Sequence, residues 1–68
     1  MEIFEDGRRV VVVTEHGVLC GKVEHYNKAR KSYTIISYYG ILYNIKASHV
    51  YNTKDYGRAS KFFESRYL

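Results

Sequence analysis

The chain has 68 residues, 46% of them hydrophobic, with eleven Lys and Arg against seven Asp and Glu, a net charge of +4. This length holds one domain, which buries roughly 60% of its unfolded surface, and the apolar share excludes a disordered tail. No apolar run reaches the roughly 18 residues of a membrane span, the acidic start Met1-Glu2-Ile3-Phe4-Glu5-Asp6 is not read as a signal peptide, and Cys20 has no internal disulfide partner, so an intracellular, cytoplasmic home is expected.

In chain order, Val10 to Val13 form a β-branched run that reads as a first strand. Glu15-His16-Gly17 turns the chain into a second strand, Val18 to Tyr26. There Leu19, Gly21 and Val23 share one face while Cys20, Lys22 and Glu24 share the other, the pattern of a strand buried on one side. Gly21 inside that strand predicts a bulge or a sharp bend. Asn27 to Ser32 is a basic loop, and Tyr33 to Tyr38 a third strand whose buried face the alternation leaves open. Tyr39-Gly40 is a tight turn, with Gly40, like Gly17, where a turn needs positive φ. Ile41 to Lys46 is a fourth strand, and after the link Ala47-Ser48 the piece His49-Val50-Tyr51 is extended again.

Beyond Tyr51 the period changes. Asn52-Thr53 can cap a helix with Asp55 in its first turn. Tyr56, Ala59, Phe63 and Tyr67 fall on one helical stripe, although Gly57 weakens the first turn and moves the expected start toward Arg58. The helix is expected to begin between Thr53 and Arg58 and to pack over an open end of a barrel. The predicted architecture is one mostly β domain, a five-stranded SH3-like barrel over about 8–51 with a C-terminal α-helix over about 54–67.

Residues 12 to 51 resemble the Tudor and KOW type of SH3-like barrel. Tyr38-Tyr39-Gly40 stands for the Tyr-Gly turn of Tudor domains, Ile45 for the valine and Val50 for the leucine that follow, with Glu15-His16-Gly17 at the first hairpin and Val23 on the next strand. The resemblance implies a binding module rather than an enzyme. Tudor cage positions fall at Val13, Cys20, Ile36, Tyr39 and Ile41, of which only Tyr39 is aromatic. A methylated cation needs several ring faces, so reading of methylated arginine or lysine is not expected. The same positions then read as an apolar patch for a protein partner or as core, with Val13 and Ile36 placed in the core and Ile41 open. Plasmid-encoded type II dihydrofolate reductases are also small barrels of this class. Their Val-Gln-Ile-Tyr strand would fall on Leu42-Tyr43-Asn44-Ile45, which keeps neither the glutamine nor the tyrosine, so that enzyme is excluded.

Chemistry-bearing residues are scattered. His16, His25, His49 and Cys20 have no metal-ligand spacing, no glycine-rich phosphate loop is present, and no carboxylates pair in sequence, so neither catalytic residues, metal nor cofactor are assigned. The basic residues are better organised. Lys28, Arg30 and Lys31 share one loop flanked by Tyr26 and Tyr33, a pattern suited to single-stranded nucleic acid: cations on phosphates, rings under bases. The competing reading is a solvated loop beside packing tyrosines.

The leading expectation is a non-catalytic module that binds nucleic acid or works within nucleic-acid machinery. The alternative is a protein-binding inhibitor or adaptor, of the phage-encoded host-takeover or anti-defence kind, using Tyr38, Tyr39, Ile41, Tyr43 and the C-terminal helix as the contact; the basic charge by itself invites either nucleic acid or an acidic protein surface. A third is a homo-oligomer like the Sm ring, in which strand edges pair between subunits. Oligomeric state is left open.

Overall fold

The computed structural model describes residues 3 to 68. Five antiparallel strands form one open sheet: β1 (Arg9–Thr14), β2 (Gly17–Asn27), β3 (Ser32–Ser37), β4 (Gly40–Lys46) and β5 (Val50–Asn52), in the order β4-β3-β2-β1-β5. A C-terminal helix α1 (Tyr56–Tyr67) follows, so its start falls in the expected window. Among the described residues β4 and β5 are the two edges and do not pair with each other. The link expected at Ala47-Ser48 is a 3-10 turn that takes in His49 as well, which moves β5 one residue later.

The β1–β2 and β3–β4 hairpin turns have the same construction. Thr14-Glu15-His16-Gly17 and Ser37-Tyr38-Tyr39-Gly40 each place a hydroxyl residue before the turn and a glycine after it. Thr14 Oγ1 accepts from His16 N (3.1 Å) and donates to Gly17 O (3.0 Å); Ser37 Oγ accepts from Tyr39 N (3.1 Å) and donates to Gly40 O (2.8 Å). Gly17 and Gly40 have φ of 129° and 119°, a region in which side chains are strained.

The Val10–Val13 run is buried on both faces of β1. Val10 and Val12 join Phe4, Val23, Tyr33, Ile35 and Val50 in the main core. Val11 and Val13 face the opposite way and pack with Ala59 of α1, with Val18, Tyr51, Phe62 and Phe63 half-buried around them. The helix therefore covers the outer face of β1, not an open end of the strand core. Of the expected stripe, Ala59 is enclosed and Phe63 half-buried, while Tyr56 and Tyr67 are exposed and Phe62 takes their place. Asn52 caps the 3-10 turn Thr53–Asp55, its Oδ1 accepting from Lys54 N at 3.3 Å; Asp55 sits at the N-cap of α1 without a side-chain cap bond.

Two bulges explain where simple alternation fails. β2 and β3 shift register between Val23 and His25, with Glu24 as the extra residue. Val23 and Tyr26 thus both turn toward the core. β3 and β4 shift between Tyr33 and Ile35, where Tyr43 and Asn44 oppose Thr34, so Leu42 and Ile45 also both turn inward. Asn44 takes a left-handed φ of 56° to do this. Gly21 is not the bulge. Its missing side chain serves a close approach: a Cβ there would lie 2.5 Å from Ile35 Cγ2 and 3.0 Å from Ile36 O.

The main core has a plug that the strand pattern does not announce. Phe4 is buried beside Tyr33, ring centroids 6.2 Å apart, and its N–H donates to the Tyr33 hydroxyl at 2.9 Å. Gly7 N and Val23 N then bond across to Val23 O and Arg8 O, which ties this segment to β2.

Candidate binding surface

The β2–β3 loop holds Lys28, Arg30 and Lys31 exposed. Asn27 Oδ1 accepts from Arg30 N at 3.0 Å, and Lys31 takes a left-handed φ of 52° to return the chain into β3. The three cations do sit together. The rings beside them do not form a platform. Tyr33 is only 1% exposed, and Tyr26, half-buried, packs its ring on Tyr33 with centroids 4.7 Å apart. Tyr33 lies opposite Tyr26 in the β2–β3 register and faces the core. A base has no access to its face, so the stacking role expected of Tyr33 is withdrawn for this geometry.

The β3–β4 hairpin is the reverse case. Tyr38 is 93% exposed, Tyr39 76%, Tyr43 67%, Ile41 51% and Ile36 42%. Ile36 is therefore surface, not the core residue expected. Tyr38 and Tyr39 meet edge-on at 5.3 Å, yet serve different clefts. Tyr39 lines one between the two hairpin tips with Thr14, His16, Leu19 and Leu42. Tyr38 borders a groove of about 360 Å³ with Arg9, Cys20, Lys22, Ile36 and Thr53. The five cage positions consequently do not converge: Val13 lies under α1, Tyr39 sits in the tip cleft, and Cys20, Ile36 and Ile41 are on the open face.

Strand register sets four exposed residues side by side on that open face. Arg9 pairs with Lys22, Lys22 with Ile36, and Ile36 with Ile41, one residue from each of β1 to β4. Helix α1 covers the neighbouring part of the same face and stops short of this row. Reading the sequence for charge clusters finds Arg9, next to Arg8 ahead of the first strand, but misses its pairing with Lys22, which lies far away in the chain. The signal is in the first hairpin: each lies five residues from the turn-flanking pair Thr14 and Gly17.

The electrostatics are one-sided. Among the described residues no Lys or Arg forms an ion pair with a carboxylate; His16 Nε2 with Glu15 Oε1 at 3.4 Å is the pair present. His49, whose ring meets Phe62 at 5.0 Å, has its pKa lowered by partial burial first, then by the Arg66 and Lys46 cations. No three His, Cys, Asp or Glu side chains among the described residues are grouped to hold a metal ion, Cys20 is an exposed free thiol, and no described helix is long and apolar enough to cross a membrane.

Comparison with protein-family models, curated proteins and solved structures finds no match to this chain.

Proposed function

We propose that this chain is a non-catalytic docking module of the SH3-like barrel type, and that it holds a protein partner on its β3–β4 hairpin in the manner of an inhibitor or adaptor. The barrel reading draws support from the meander order, from β2 running long enough to pair with both β1 and β3, and from the 3-10 turn that leads into a short β5 beside β1. The docking reading is carried by one observation. Tyr38, Tyr39, Ile41 and Tyr43, with Ile36, are exposed together on one hairpin, whereas Tyr33 is enclosed. Apolar exposure concentrated on one hairpin in this way suits an interaction surface, and tyrosine adds contact area at low entropic cost.

The test is capture from lysate on the immobilised protein, with and without nuclease. A defined protein retained after nuclease treatment, and lost from Ile41→Asp and Tyr43→Ser variants, is the expected result. Retention that nuclease abolishes overturns the reading. Nucleic-acid binding remains the second reading, favoured by the three exposed cations of the Lys28–Lys31 loop. Replacing Lys28, Arg30 and Lys31 with Ala should then lower the slope of log affinity against log salt by about 2 for single strands, at roughly 0.7 per phosphate.

A further inference from the structure

We infer that the cross-strand row Arg9–Lys22–Ile36–Ile41 reads the partner, and that the segment it takes is extended, acidic at one end and apolar three residues later. The inference rests on the docking reading above and gives the partner its chemistry.

The row is laid out by the register of four adjacent strands. With strands about 4.8 Å apart, it runs roughly 14 Å across the sheet. Its two halves differ in kind. Arg9 and Lys22 stand directly opposite one another, a like-charge pair that opposes sheet pairing. Neither is neutralised by a carboxylate among the described residues. Among the described residues the two facing cations thus have no ion-pair partner, and a carboxylate set between them relieves the repulsion as well as gaining charge-assisted hydrogen bonds. Ile36 and Ile41, the other half, are apolar side chains that leave 42% and 51% of their surface exposed. Tyr38 and Thr53 close the groove on its flank.

These dimensions set the ligand. The midpoint of the cation pair and the midpoint of the isoleucine pair are two strand spacings apart, about 10 Å. A polyproline II segment rises about 3.1 Å per residue and brings every third side chain back to the same side. Residues i and i+3 then sit about 9.3 Å apart, close to the spacing of the row. A carboxylate at i and a leucine-sized group at i+3 fit. Nucleic acid fits this face less well, because isoleucines offer no ring to stack on and Tyr38 is the one aromatic among the described residues that line the groove.

The probe is acetyl-Glu-Pro-Pro-Leu-amide, titrated into the labelled 68-residue chain by NMR, beside its Lys-Pro-Pro-Leu and Glu-Pro-Pro-Ser counterparts and hexathymidylate. Saturable shifts at Arg9, Lys22, Ile36 and Ile41 are expected at millimolar peptide. The lysine peptide, and the Arg9→Gln/Lys22→Gln double variant, should each bind at least about ten-fold more weakly. Lys22→Glu should raise Tm while it weakens binding; a lower Tm would show that the facing cations do not repel. Equal affinity for the Glu and Lys peptides, stronger shifts of the row with hexathymidylate than with peptide, or no shift at the row each overturns the inference. The two readings fail separately. If Lys22→Glu still captures the lysate protein that Ile41→Asp loses, docking stands and the acidic specificity falls. If the peptide binds the row but no protein is captured, the acidic specificity stands and the docking reading falls.

Discussion

Tyr33 shows how one side chain decides between readings of the same sequence. Its ring fills the core between Phe4 and Tyr26, and its hydroxyl accepts the Phe4 N–H. Tyr33→Phe keeps the ring but leaves that buried amide without its acceptor, so stability should fall by about 1–3 kcal/mol. Urea unfolding measures this, and a change near zero would mean water replaces the hydroxyl. Gly21→Ala is the steric counterpart. Its Cβ would press on Ile35 Cγ2 and on backbone at Ile36, and the expected cost is about 1–3 kcal/mol. The mechanism differs from that at Gly17 and Gly40, where nothing lies near a built Cβ and the strain is in φ alone. His49 supplies a pH dependence. Its folded pKa is lowered, by burial first and then by Arg66 and Lys46. The unfolded chain then binds the proton more readily than the folded one, so stability is full above the unfolded value of about 6.5 and declines as pH falls below it. His49→Gln should flatten that decline in urea midpoints measured across pH 5 to 8, and an unchanged slope would assign it to other groups.

At the scale of elements, α1 and β1 work as a pair. Ala59 has no exposed surface and lets the helix backbone approach Val11 and Val13; Phe62 and Phe63 flank that contact. Because both phenylalanines are only half-buried, Phe62→Ala or Phe63→Ala should cost about 2 kcal/mol, roughly half of the loss at an enclosed site. Ala59→Leu should cost as much by forcing the helix away from β1. Thermal melts followed by circular dichroism distinguish these from a frayed tail, whose removal would leave Tm unchanged.

Strand and helix existence were legible because β-branched runs, hairpin glycines and a change of period are local signals. What the sequence hid was face and neighbour. Four consecutive valines do not say that one face meets a sheet core and the other a helix. Bulges at Glu24 and Asn44 each put residues three apart on one side, at Val23/Tyr26 and Leu42/Ile45, which no period of two reveals. Phe4 joins the core from outside any strand. The exposed tyrosines and Ile41 of the β3–β4 hairpin were legible as one stretch. Arg9 and Lys22 become neighbours only through register.

For the molecule as a whole, charge is the feature that the fold does not resolve. The chain carries +4, and none of its described lysines or arginines is matched by an ion pair. In a protein laced with surface salt bridges, added salt screens attraction and lowers stability. Here the uncompensated interactions are repulsions, so screening should act the other way. Tm should rise between low and near-molar sodium chloride, and a fall would mean that favourable long-range pairs outweigh the repulsion. The facing cations give this expectation a location. Lys22→Glu turns the Arg9 pairing from repulsive to attractive, a change of about 0.2–1 kcal/mol across a strand pair, or roughly 1–8 °C in a domain of this size. The same substitution should shrink the salt-induced rise, because it removes part of what salt screens. Lys28→Glu makes the same change of net charge away from the row; because it also eases repulsion from Arg30 and Lys31 on its own loop, it bounds the net-charge effect from above. If both variants stabilise equally, the effect belongs to the overall charge. If Lys22→Glu exceeds Lys28→Glu, the repulsion is local to the row, and the stability given up there marks the place where an anionic partner restores it.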